Sequence, residues 1–334
     1  MATIGLGLVG CGNMGASLAR GLGEVEAGEL VAVYDERAQA ARELADATGA
    51  RACSSYEELL GGSGVEAVLV ASPQFAHREH TVAAAGAGKH VFCEKPMATS
   101  LADCDAMLDA CRQAGRLLMI GQVCRYHAVH AKVHELVAGG GLGPPVCMEV
   151  HRLGKPWGGQ WDQHWRLDRA KSGGNLLEVN AHEIDFMRWV CGDVAAVYAA
   201  GGRYLDQRLN YPDLAVVTLH FASGAKGLVH AGSVSLLGGY GGRVDCRAGS
   251  LAFPTIWGGD AGIHVARAGE EPGFLPASEL AGANPVAAEL GDFLDAVASG
   301  RPAPVPGEEG RAAVEAGLAA YRSIETGAPV ELPL

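Results

Sequence analysis

The run Gly10-Cys11-Gly12-Asn13-Met14-Gly15 stands between an apolar stretch, Ile4 to Val9, and a segment of helical spacing that extends to about Gly21. Glycines at these intervals, with a strand before and a helix after, restrict the chain to a strand–turn–helix unit. Gly10 permits the tight turn, and Gly12 lets a ligand approach the backbone. Gly15 lets the helix close on the strand, and Asn13 and Met14 open the helix whose N-terminus faces a phosphate. The spacing alone is a weak signal in a chain with 48 glycines. A second strand, Leu30 to Tyr34, ends in Asp35, which follows Gly15 by 20 residues. An acid there suits the adenosine ribose of a dinucleotide and repels a 2′-phosphate, so the expected cofactor is NAD, with NADP disfavoured. The plainer reading of Asp35 is an N-cap for a helix over 37–48. Arg37 is the feature that would favour NADP.

Strand and helix go on alternating as far as Val123. Strands are expected near 51–53, 65–71, 90–93 and 117–123, and helices near 56–60, 76–86 and 101–114. Such βαβ alternation implies a parallel sheet with helices on both faces. In sheets of this kind ligands bind beyond the carboxyl ends of the strands. Two such ends carry polar turns, Ser72-Pro73-Gln74 and Glu94-Lys95-Pro96. Proline fixes its own backbone and biases Lys95 toward extended conformations, so the ammonium is aimed. A solvated Glu–Lys pair is the bland alternative. His77 and His80 read as surface or capping histidines rather than metal ligands.

After Val123 the pattern changes. A helix over 128–137 carries His127, His130 and His134 near helical spacing, without a carboxylate or cysteine beside them that would make a metal face. Strands at 146–152, 195–200, 214–221, 225–233 and 243–247 follow without intervening helices, and their short Gly-rich connections imply antiparallel pairing. A Pro/Gly-rich region, 258–285, precedes two final helices, about 286–298 and 308–324. The chain therefore divides at 1–123 and 124–334, an α/β protein with a mostly antiparallel sheet in its second half.

One segment of the second half is more informative than the rest. Gly173-Gly174-Asn175 signals a helix start, and the helix is expected over 176–190. At about 100° per residue, Glu178, His182, Asp185 and Trp189 fall within an arc of about 60°. Much of the remaining perimeter is apolar, so the helix should be buried. A carboxylate and a histidine on such a helix need a reason. One reason is a capping box, Asn175-x-x-Glu178, which leaves His182 a satisfied core histidine. The other is chemistry.

Composition narrows the classes. At 334 residues with 49% hydrophobic side chains, the chain can build two packed domains. A net charge of −12 argues against nucleic acid or an anionic membrane surface as partner. No run of about 18 apolar residues and no signal core is present, and nine scattered cysteines lack paired spacing. A cytoplasmic protein with reduced thiols and no metal site is expected.

Taken together, the chain resembles the Gfo/Idh/MocA family of sugar and cyclitol oxidoreductases. The resemblance rests on Gly10-x-Gly12-x-x-Gly15, Ser72-Pro73, Gly88-Lys89-His90-Val91 and Glu94-Lys95-Pro96. It continues in Trp165-Arg166, Gly173-Gly174 and the helix with Glu178, His182 and Asp185, so it covers essentially the whole chain. It implies an N-terminal Rossmann domain and a C-terminal α/β domain with a large open sheet that commonly forms the dimer or tetramer surface. It also implies that Lys95 and His182 flank a reacting hydroxyl and that Lys95-Pro96 is cis. The family often has Asp where Glu178 stands and Asn where Gln74 stands.

On that basis Lys95, His182 and Glu178 are the candidate catalytic residues. Gly10, Gly12, Asn13, Met14, Gly15, Asp35, Ser72, Pro73, Glu94 and Lys95 are the candidate cofactor contacts. The loop 155–171, with Trp157, Trp161 and Trp165 among Asp162, His164, Arg166 and Asp168, is expected to wall the substrate pocket. Trp157, Trp165, Arg166 and Asp185 are the candidate substrate contacts. Aromatic faces and polar groups in alternation suit a polyhydroxylated ring; the plainer alternative is that the tryptophans pack the loop down. The acidic residues favour an amino sugar or aminoglycoside as the bolder choice. Three classes stand: a dehydrogenase releasing NADH, a redox-assisted lyase, epimerase or glycosidase that recycles bound NAD, and a non-enzymatic nucleotide-binding regulator.

Overall fold

The computed structural model describes residues 3–159, 163–280 and 282–334. The chain forms two compact units, one of residues 1–123 with 283–312 and the other of 124–282 with 313–334.

In the first unit six parallel strands take the order β3-β2-β1-β4-β5-β6. They are β1 (Ile4–Val9), β2 (Gly28–Tyr34), β3 (Arg51–Ala52), β4 (Ala67–Val70), β5 (His90–Glu94) and β6 (Leu118–Gly121). Helices α1 (Asn13–Leu22), α2 (Ala38–Thr48), α3 (Tyr56–Leu60), α4 (His77–Gly86) and α5 (Leu101–Ala114) lie between them. Every residue of β1 and β4 is buried, as strands covered on both faces must be. Strand order reverses direction between β1 and β4, the switch point at which this topology binds ligands. α3 and α5 begin at serine caps, where Ser55 and Ser100 accept from the amides of Glu58 and Asp103.

The helix Pro285–Ser299 also belongs to this unit, which corrects the reading of 124–334 as one domain. Its apolar face closes on the Rossmann sheet: Phe293 meets Phe92 of β5 with ring centroids 5.7 Å apart. Val286 lies where a Cβ on Gly21 of α1 would sit, so that glycine lets the helix approach. Such contacts are long-range and leave no local mark.

The second unit is built on a nine-stranded sheet, order β14-β13-β12-β11-β7-β10-β9-β8-β15. The strands are β7 (Pro145–Leu153), β8 (Val194–Gly202), β9 (Leu214–Phe221), β10 (Lys226–Gly232), β11 (Gly239–Cys246), β12 (Gly249–Phe253), β13 (Gly262–Arg267), β14 (Gly273–Pro276) and β15 (Val330–Glu331). Neighbours pair antiparallel except β7 and β10, which are parallel; the expectation of antiparallel pairing missed that contact. β12 to β14 were not anticipated, because their glycines and prolines hid two short hairpins inside a loop-like composition.

β9 and β10 alternate buried and more exposed residues, so only one face of the sheet is covered. Val217, Leu219 and Val229 from that face join Val129 and Val133 of α6 (Ala128–Ala138) and Phe186, Met187 and Val190 of the helix Ala181–Cys191 in one core. The other face leaves Tyr198 and Val216 exposed.

The helix expected over 176–190 is interrupted. It divides into Asn175–Glu178 and Ala181–Cys191, with Val179 and Asn180 between. Asn180 donates its side-chain amide to Glu183 at 2.8 Å, and its backbone amide reaches back five residues to Asn175. Asparagine competes for backbone geometry in this way and breaks helices readily. Burial of the segment is as expected, since Ala181 to Arg188 are all buried.

Candidate active site

Each unit gathers one set of candidate residues. In the first, Gly10, Asp35, Ser72 and Lys95 follow the carboxyl ends of β1, β2, β4 and β5. Gly10 has φ +95, and a Cβ there would meet Ser72 N at 2.5 Å. A Cβ on Gly15 would lie 2.0 Å from the Gly10 carbonyl oxygen. Both positions admit only glycine. A Cβ on Gly12 would meet nothing within 4 Å, so the backbone there is bare to an approaching group. α1 starts at Gly12 with no side-chain cap and no acid in its first turn, and Asn13 and Met14 are its first residues. Free amides and the positive end of the helix dipole make this an anion cradle. A dinucleotide pyrophosphate fits it.

Asp35 is bound to the same loop. Its carboxylate accepts from the Cys11 amide at 2.8 Å and from the Arg37 amide at 2.8 Å. Helix α2 has Arg37, not Asp35, at its N-cap. The Arg37 guanidinium lies 3.4 Å from Asp35, with its side chain 72% exposed. Burial, reinforced by the Asp35 carboxylate, pushes the Cys11 thiol up to about 12, and burial raises Cys93 well above the usual thiol range. Neither is a nucleophile at neutral pH, and both are buried packing residues.

The turns after β4 and β5 are joined by His77, which the sequence suggests as a surface or capping histidine. His77 is buried, its Nε2 2.7 Å from the Ser72 carbonyl and its Nδ1 3.0 Å from the Pro96 carbonyl. Two carbonyl oxygens favour the imidazolium and full burial opposes it; burial prevails and holds the ring down to about 4. The ring thereby ties Ser72-Pro73 to Glu94-Lys95-Pro96. Nothing in the spacing distinguished it from an exposed helix-start histidine. Lys95 is half-buried, Glu94 is buried and accepts from the Lys95 amide at 3.2 Å, and Lys95-Pro96 is cis.

In the second unit, Glu178 and His182 are both buried on either side of the helix break. The helix Asn175–Glu178 starts at Gly174, and the Asn175 side-chain amide is directed to Ser233 at 3.1 Å. The capping-box account therefore lacks its cap. Glu178 Oε1 instead accepts from Arg166 Nε at 2.9 Å. The Arg166 guanidinium lies over Trp165, 4.2 Å from its ring centroid, and 5.7 Å from that of Trp157.

Trp157 donates to Tyr211 Oη at 2.9 Å, and Tyr211 donates to the Arg166 carbonyl at 2.7 Å. Trp157 thus packs the loop down, the plainer of its two readings, while Arg166 is aimed at Glu178. Trp161 and Asp162 lie outside the described residues. Asp168 caps the short helix Arg169–Ser172. Asp185 is held in a two-point ion pair with Arg125 at 2.6 and 2.7 Å and is 1% exposed. Its carboxylate is committed to Arg125.

Tyr211, Asn180 and Glu183 were not anticipated. Glu183 is fully buried between Asn180 and Arg152, the latter 3.2 Å away, and fixes the break that precedes His182. Of the three histidines of the stripe, His127 and His130 meet edge-on with ring centroids 6.0 Å apart, His130 also packs edge-on to Phe186, and His134 stacks on Trp189.

The first unit matches the family model described as the oxidoreductase family, NAD-binding Rossmann fold, over residues 4–122. Residues 130–252 match the GFO/IDH/MocA C-terminal domain. The chain is 30% identical over 347 residues to a myo-inositol 2-dehydrogenase of Thermotoga maritima, covering 98% of each chain. It is 30% identical over 335 residues to a 1,5-anhydro-D-fructose reductase of Ensifer adhaerens, again over 98% of each. An aldose-aldose oxidoreductase of Caulobacter crescentus superimposes with a TM-score of 0.89 at 28% identity, over 99% of this chain and 100% of that one. An anion cradle at the switch point, an acid at the end of β2 and end-to-end kinship with sugar and cyclitol enzymes have one explanation: the chain belongs to the Gfo/Idh/MocA family of NAD-binding oxidoreductases.

Proposed function

We propose that the chain is an NAD-dependent dehydrogenase that oxidises a secondary ring hydroxyl of a sugar or cyclitol to a ketone. The observation that carries this reading is the placement of Lys95 at the end of β5, in the same row of strand ends as the glycine loop and Asp35. When bound, NAD supplies the hydride acceptor. His182 serves as the base for the hydroxyl proton, a role suited to imidazole. Lys95 donates a hydrogen bond to the same oxygen and stabilises the alkoxide charge that develops on it. Glu178 fixes Arg166, and Arg166 with Trp165 offers a flat cationic and aromatic surface to ring hydroxyls.

A neutral ring polyol is favoured over an amino sugar. The case for a cationic substrate rested on acidic residues around the loop, and three of them are engaged: Glu178 by Arg166, Asp185 by Arg125, Asp168 by a helix amide. We also place the protein in the cytoplasm, as nine free thiols suggest, and propose a homodimer or homotetramer through the uncovered face of the large sheet. Among the described residues no helix is long and apolar enough to cross a membrane. A paired assay of cyclitols, neutral sugars and amino sugars with NAD, read as NADH absorbance, tests the substrate class. Activity only on acyclic hydroxy acids would overturn it.

A further inference from the structure

Glu289 is a carboxyl group without an evident purpose. It lies in the helix Pro285–Ser299, is fully buried, and neither of its oxygens has a hydrogen-bond partner among the described residues. Its position follows from two periodicities. Phe92 and Glu94 are two apart on β5 and face the same side of the sheet, whereas Glu289 and Phe293 are four apart and share one helix face. The Phe92–Phe293 ring contact therefore sets Glu289 opposite Glu94. Gly121, the β6 partner of Glu94, leaves the room: a Cβ there would meet the Phe92 ring at 3.0 Å and Glu94 Oε1 at 3.2 Å.

A fully buried carboxyl with no donor to stabilise its anion remains protonated. Burial first, and the Glu94 carboxylate second, raise Glu289 well above the ordinary range of a glutamate. Glu94 is the titratable group that faces it from β5. α1, the helix packed against this one, buries Gly15, Leu18, Ala19, Gly21 and Leu22, none of which titrates.

We infer that Glu289 is a positioning residue for the Glu94-Lys95-Pro96 turn: a neutral carboxylic acid facing Glu94, which leaves the two carboxyls a single negative charge, carried by Glu94 beside Lys95. If both were ionised they would repel across the strand–helix contact and displace the turn. The neutral form stabilises the fold fully at acid pH, and that contribution is lost as pH rises through the raised value. The importance of the turn rests on the role proposed above for Lys95, whereas the test below needs no substrate, so the two can fail separately.

Infrared spectroscopy of the whole chain at neutral pH should show a protonated-carboxyl band that Glu289→Gln removes. Glu94→Gln should shift the titration of that band down by about one pH unit or more, because a facing anion is gone. Amide exchange across 94–97 should rise about tenfold in Glu289→Ala and return toward wild type in Glu289→Gln, while β1 keeps its protection. Glu289→Gln should also lose part of the wild-type decline in melting temperature as pH rises above about 4.5. Absence of the neutral-pH band, or exchange at 94–97 that is the same in Glu289→Ala and wild type, would overturn the inference.

Discussion

Arg166 Nε and Glu178 Oε1 lie 2.9 Å apart with both side chains about nine-tenths buried. A charged hydrogen bond so placed is strong only while both partners remain. Glu178→Ala should destabilise the protein by about 3 kcal/mol, since it strands the guanidinium. Glu178→Gln, which keeps an acceptor oxygen, should cost about half as much. Urea unfolding of the two variants measures the difference. Equal, small losses would mean that the pair does not hold the loop.

Asp185 is expected to behave as a structural residue. Asp185→Asn breaks a buried two-point ion pair with Arg125 and should cost about 3–5 kcal/mol. At a temperature where the variant is folded, its KM should stay within about threefold of wild type, because no substrate contact is lost. A large rise in KM with stability intact would restore Asp185 to the substrate site.

The glycine loop, the ends of α3 and α5, and the strand bearing Glu94-Lys95-Pro96 were legible because each is fixed by local pattern or by a cap. The features that escaped are held by long-range partners. The Pro285–Ser299 helix belongs with the first unit because Phe293 meets Phe92, and no local signal records that. The break at Asn180 depends on Glu183 accepting from its side chain, whereas the run of apolar residues read as one continuous helix. For the candidate site, residue types were readable and pairings were not. Asp185 has helical spacing from Glu178 and His182, yet its partner Arg125 comes from 60 residues upstream.

His130 should be a source of acid sensitivity. It is buried among Phe186, Tyr240 and Phe253, and neither ring nitrogen has a hydrogen-bond partner among the described residues. Burial, followed by His127 and Arg152, holds it down to about 3. A depressed histidine binds fewer protons folded than unfolded, so stability falls as pH drops from about 6.5 toward 3. Full traversal of that window is worth on the order of 4 kcal/mol. His130→Phe should abolish this share of the loss, so its melting temperature should fall less than that of wild type between pH 7 and 5. Parallel melting curves would contradict the account.

Cofactor choice should turn on Asp35. The carboxylate accepts from the Cys11 amide of the glycine loop at 2.8 Å, and an acid so placed would repel a 2′-phosphate. Asp35→Ala should weaken NAD about tenfold and weaken NADP less, or strengthen it, with Arg37 left to pair with the added phosphate. Fluorescence titration of both nucleotides reads the ratio. Tighter NADP than NAD binding by the unaltered chain would show that Arg37 dominates.

Lys95 and His182 are proposed to act in one hydride-transfer reaction. The most direct measurement is NADH formation from a ring polyol by wild type, Lys95→Ala and His182→Ala, with NAD affinity measured in parallel. Each variant should lose about two to four orders of magnitude in turnover while NAD binding changes little. Near-normal turnover by His182→Ala would contradict the account and return His182 to the status of a buried core histidine.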